Sequence, residues 1–152
     1  MNPASDPVPD WLPGTWKLVS VASRNVATGA VVDFFGRDPL GYITYSADRR
    51  MMVVIVRSGR HKPAGTSATP AEAEALMKTL VSYAGTYSIR GDAITHHVEL
   101  SWNEAWTGTD QTRLFRFDGR QLALDTPPSP DPVDGVVSVR SMVWERASGA
   151  TG

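Results

Sequence analysis

The densest run of polar and aromatic side chains is His96-His97-Val98-Glu99-Leu100-Ser101-Trp102-Asn103-Glu104-Ala105-Trp106. A strand points successive side chains to opposite faces. His96, Val98, Leu100 and Trp102 then share one face, and His97, Glu99 and Ser101 the other. Two adjacent histidines on a regular strand cannot ligate one metal. The apolar company of His96 places it inward; His97 faces inward instead if the interior is polar. A neutral buried histidine is a candidate general acid or base, because imidazole titrates near neutral pH. The leading alternative is a core histidine satisfied by a Tyr or Ser hydroxyl, followed by a ligand contact.

Two neighbouring segments supply partners. Tyr83, Gly85, Tyr87 and Ile89 share a face, which aims both phenols toward the inward histidine. The alternative is core filling with a hydroxyl at a barrel mouth. Arg113, Phe115 and Phe117 alternate with Leu114 and Arg116. One arginine must face inward if this strand belongs to a closed barrel, and Arg113 shares its face with two phenylalanines. An inward guanidinium is costly unless paired, so it calls for Glu99, Asp33 or an anionic ligand. The bland reading puts Arg113 at a wet rim. His96, Tyr87 and Arg113 form the candidate catalytic set. The candidate ligand contacts are Tyr45, Tyr83, Tyr87, His96, Val98, Trp102, Trp106, Arg113 and Phe115. Trp102 to Trp106, with Thr107-Gly108-Thr109 after them, read as a loop at the mouth of a cavity.

Other chemistries lack their residues. Spacing forces no pair among Asp33, Glu99 and Glu104, so a two-carboxylate hydrolase is unsupported. No Gly-x-Ser-x-Gly elbow and no Gly-rich phosphate loop occurs. The 152 residues contain no Cys and 3 His, which removes thiol, Fe–S and Cys-ligated zinc chemistry and leaves little for a His-rich metal site. No cofactor is expected. Fifteen Lys and Arg balance 16 Asp and Glu, an even charge that argues against nucleic-acid or anionic-membrane partners. No apolar run nears the roughly 20 residues of a membrane span, and the N-terminus lacks signal-peptide character. The expected location is cytoplasmic.

The elements that must position these residues are mostly strands. With 13 Gly, 11 Pro and 5 Trp, the composition suits many short strands joined by turns. Alternation predicts about nine, over 15–23, 30–34, 41–46, 51–57, 82–90, 93–102, 112–118, 121–125 and 136–146. Within the fourth, Met51 and Met52 read as wall and core. Pro3, Pro7, Pro9 and Pro13 mark an extended arm over 1–13, and Thr126 to Gly135 a long loop, because Pro cannot donate to a ladder. Thr69-Pro70-Ala71-Glu72 is a capping box that opens one helix over about 70–82. Its stripe of Ala73, Leu76, Met77 and Leu80 is expected to bury against the sheet. Closing such strands into an up-and-down antiparallel barrel of about 8–9 strands removes the exposed edges and encloses an interior. The barrel domain runs over 14–146, followed by a disordered tail over 147–152.

Gly14-Thr15-Trp16 at the start of the first strand resembles the opening of lipocalins and their calycin relatives. The runs GTWKLVSV, DPLGYITYSADRRMMVVI, YAGTYSIRGDAITHHVELSWNEAWTGTDQTRLFRFDG, LDTPP and VWER resemble the bacterial lipocalin-like domain family over about 14–146. The resemblance implies an all-β lipocalin-like barrel. It gives Gly14, Trp16 and Arg146 structural roles, with Trp16 closing one end beneath Arg146, or beneath Arg140 as second choice. The absence of a signal peptide and of cysteine sets the chain apart from secreted lipocalins.

Three functions remain. The first is binding of a small hydrophobic, planar or polyketide-like molecule in a cavity of a few hundred Å³. The second is a cofactor-independent isomerase or cyclase that uses His, Tyr and Arg on a natural-product intermediate. The third is a filled barrel serving as a scaffold. The arm carrying Trp11 is a candidate contact with a second copy of the chain in a homodimer.

Overall fold

The computed structural model describes residues 5–130 and 135–149. Ten antiparallel strands lie among them: β1 (Gly14–Asn25), β2 (Val31–Asp33), β3 (Leu40–Tyr45), β4 (Arg50–Val56), β5 (Leu80–Arg90), β6 (Ala93–Ser101), β7 (Asp110–Phe117), β8 (Gln121–Asp125), β9 (Ser129–Pro130) and β10 (Val137–Arg146). The sheet order is β2-β1-β3-β4-β5-β6-β7-β8-β10-β9, and β1 also pairs with β10. That last pairing closes eight strands into a barrel and leaves β2 and β9 as short additions at its edge. Neighbours in sequence are neighbours in the barrel, because tight turns such as Asp118 to Arg120 join antiparallel partners.

The core is the barrel interior. Leu18, Ile43, Val53, Ile55, Ile89, Ile94, Leu122, Leu124 and Trp144 project into it from alternate positions. One end is sealed. Trp16 is 0% exposed and donates its indole N–H to the Leu12 carbonyl at 2.9 Å. The Arg146 guanidinium lies 4.1 Å above the Trp16 ring and donates to the carbonyls of Pro13, at 2.8 Å, and Trp11. Gly14 is required beneath it. Its φ is +132°, and a Cβ there would stand 2.6 Å from Arg146 Nη1. Arg140 instead stacks over Phe34 at 3.9 Å.

The arm crosses the same end. Pro9, Trp11 and Leu12 pack toward Ile89, Ile94, Phe115 and Leu122. Asp6 N–H donates to the Ile89 carbonyl at 2.8 Å, and Gly91 N–H donates to the Asp6 carboxylate at 2.7 Å. Trp11, expected as a contact for a second copy, stacks on its own chain's Phe117 at 4.2 Å.

Several expectations are corrected. The helix α1 is shorter than 70–82, covering Pro70–Met77, and Leu80 opens β5. Without Leu80 its apolar stripe is too small to hold it on the sheet. None of its residues is buried, and Met77 is 51% exposed. Its capping box forms as read, with Thr69 Oγ1 accepting from Glu72 N–H and the Glu72 carboxylate from Thr69 N–H. Met51 is core but Met52 faces outward. The late proline loop contains β9, which pairs with Val137 and Ser138. The last part of the expected tail, 150–152, lies outside the described residues. No helix among the described residues is long and apolar enough to cross a membrane.

Candidate functional site

His96 faces the interior and is 1% exposed, from the middle of β6. Tyr45 Oη lies 2.7 Å from its Nε2, and Tyr83 Oη lies 2.8 Å from its Nδ1. The hydrogens follow from satisfaction. Tyr45 is fully buried and has no other partner among the described residues, so its O–H must donate to Nε2 or be left orphaned. Nδ1 then carries the imidazole proton and donates it to the Tyr83 oxygen. The Tyr83 hydrogen is left over, and Tyr83 lines a cavity.

That cavity measures about 40 Å³. Its inner wall is buried Ile43, Val53, Ile55, Tyr83, His96, Leu124 and Trp144; half-buried Val81, Trp106, Arg113 and Met142 lead outward. The expected few hundred Å³ is corrected. The space holds a few waters or one small polar group.

Arg113 faces inward on β7, opposite Ile94. Its guanidinium donates Nη1–H to the Thr112 carbonyl at 2.9 Å and forms no ion pair among the described residues. Neither expected carboxylate partner serves it. Glu99 pairs outside the barrel with Arg50 at 3.3 Å, and Asp33 is exposed on β2. Trp144 also lines the cavity, and its buried indole N–H has no hydrogen-bond partner among the described residues. Arg113, Trp144 and Tyr83 all line one small cavity.

The electrostatics follow from burial. Burial, reinforced by the charge of Arg113, lowers the His96 pKa to about 3. Burial raises the phenols of Tyr45 and Tyr83; Arg113 pulls both the other way. The site at neutral pH is therefore a neutral imidazole between two neutral phenols, beside one cation.

The cavity is roofed by the loop after β6. Trp106 packs on Tyr83 with ring centroids 5.7 Å apart, and Trp102 meets Trp106 edge-on at 5.0 Å. The loop is pinned at Val98, whose N–H donates to the Thr109 carbonyl and whose carbonyl accepts from Gly108 N–H. Asn103 accepts from Ala105 N–H and starts the short 3-10 turn that presents Trp106.

The remaining expected residues sit elsewhere. Tyr87 does not reach the cavity; its hydroxyl donates to the Ser46 carbonyl at 2.6 Å, in the turn near the sealed end. Tyr45, rather than Tyr87, is the second phenol on His96. Val98 is core, Trp102 packs on Trp106 without lining the cavity, and Phe115 packs under the arm against Trp11. Leu100 is 63% exposed, against the expected inward row. A bulge opposite Gly85 causes this: Val98 pairs with Gly85 but Leu100 with Ala84, which reverses the alternation beyond Glu99. Trp144 was missed. Its position beside Arg146 marks a strand, but an orphaned N–H is visible only in three dimensions.

A family model described as a lipocalin-like domain matches residues 13–147. The match spans the barrel from the start of β1 to the end of β10. A search of curated proteins gave no match.

Proposed function

The chain belongs to the lipocalin-like domain family, and from that premise we propose that it binds a small molecule whose polar head is an anionic oxygen, a carboxylate or an enolate. One observation carries this reading: a small cavity is lined by a guanidinium that has no ion pair among the described residues and by two further side chains with an open donor. Arg113 gives one N–H to the Thr112 carbonyl but meets no carboxylate, the Trp144 N–H has no partner among the described residues, and the Tyr83 O–H is left over. Buried donors are normally satisfied, so a set left open calls for an acceptor from outside. The volume suits the head group alone; an apolar or planar body, such as that of a polyketide-like acid, lies outward against Trp106 and Trp102. Acid–base catalysis is the weaker reading. An effective general base titrates near the working pH, whereas His96 is pushed down to about 3 and Tyr83 is pushed up.

Tryptophan fluorescence tests the proposal, using carboxylates from acetate to 2-naphthoate, each against the alcohol with the same body. The expected result is saturable binding of one or more acids, at least tenfold tighter than the matching alcohol. Arg113→Met should abolish that preference. Equal affinity for acid and alcohol, or no binding by any acid, contradicts it.

A further inference from the structure

A second cluster lies on the outer face of the barrel, independent of the cavity. Ser88 Oγ is 2.8 Å from His97 Nε2, and His97 Nδ1 is 2.8 Å from Asp110 Oδ1. The register brings them together. His97 on β6 stands directly across from Asp110 on β7, and Ser88 on β5 is its diagonal neighbour beside Thr86. The Asp110 carboxylate only accepts, so Nδ1 carries the imidazole proton. Nε2 keeps its lone pair and accepts from the Ser88 O–H. Thr95 and Thr112 bond to each other at 3.0 Å and do not compete. The His97 and Asp110 side chains are 40% and 64% exposed, so a reactant in solution reaches them.

A hydroxyl, an imidazole and a carboxylate in this order and tautomer form the relay that activates a serine. We infer that Ser88 is a nucleophile that accepts acyl groups from activated aryl esters. Its oxygen bonds to the ester carbonyl carbon while His97 Nε2 takes the hydroxyl proton. The carbon–phenolate bond then breaks, and the phenolate leaves with that proton. In the second half His97 takes a proton from water, the water oxygen bonds to the acyl carbon, and the acid departs as Ser88 regains its hydrogen.

The surrounding sheet sets the substrate class. Strand N–H groups are engaged in the ladder and form no oxyanion hole, a loss of about 100- to 1,000-fold. Arg90, two residues along the same face, is the cation nearest to Ser88 in sequence. Good leaving groups such as phenolates are therefore required.

The test treats the full chain with p-nitrophenyl acetate and, separately, with a fluorophosphonate, and maps the modified residue by mass spectrometry. Both are expected on Ser88. Ser88→Ala removes the label, and His97→Gln or Asp110→Asn slows labelling at least tenfold. Label found only elsewhere, no label on the wild type, or His97→Gln labelling at the wild-type rate overturns the inference. His97 and Asp110 face solvent and Ser88 is half-buried on the outer face, and circular dichroism verifies that each variant is folded.

Discussion

His96 couples the core to pH. Its proton affinity falls on folding, from the ordinary value of 6.5 to about 3. Between those values the unfolded chain binds a proton that the folded chain refuses. Stability therefore falls as pH drops from about 6.5 toward 3, and is fully present above that window. The slope from one such group is at most about 1.4 kcal/mol per pH unit. Urea unfolding from about pH 6 to pH 4 should show the wild type losing stability faster than His96→Gln, by up to that amount. Parallel curves for the two proteins would mean that His96 is not held neutral. The histidine was legible because strand parity and apolar neighbours both turn it inward. Its partners were only half legible: parity brought Tyr83 and Tyr87 to the right face, but Tyr87, paired directly with His96, sends its hydroxyl to the Ser46 carbonyl, and the direction of each side chain is not in the pattern.

Among the elements, the β6 bulge and α1 show what alternation can and cannot reveal. Alternation located the strands that close the barrel, with ends within a few residues. It could not show the bulge, because the cause sits on another strand. A Cβ on Gly85 would lie 1.9 Å from the His97 carbonyl oxygen, closer than any real contact. Gly85→Ala is expected to cost about 3 kcal/mol or more by urea denaturation, since backbone rather than a flexible side chain must move. A loss under 1 kcal/mol would mean the bulge is not tied to this glycine. The helix gives the opposite prediction. Its capping box is a local signal and was readable, whereas burial of its stripe needed a surface to bury against. Replacing Pro70–Met77 with a Gly/Ser linker of equal length should change stability by less than about 1 kcal/mol, because no side chain there is buried. A large loss would place the helix in the core after all.

At the scale of the molecule, the two ends of the barrel divide the work. Arm, Trp16 and Arg146 seal one end, and the open donors lie toward the other under Trp106. Trp11→Ala should lower stability by about 2 kcal/mol through lost packing on Phe117, yet leave carboxylate affinity within about twofold. A loss of affinity matching the loss of stability would mean that the ends are coupled. The barrel itself was legible from strand number, short turns and the Gly14 to Trp16 opening. The cavity volume was not, since it is the small remainder left after large side chains pack.

Arg113 faces inward for a ligand and not for the fold. Urea unfolding of Arg113→Met against the wild type tests it most directly. Removing a cation that lacks an ion pair among the described residues and filling its place with an apolar chain should raise stability by about 1 kcal/mol, while carboxylate binding is lost. A variant that is clearly less stable than the wild type, or that binds carboxylates equally well, would contradict the account.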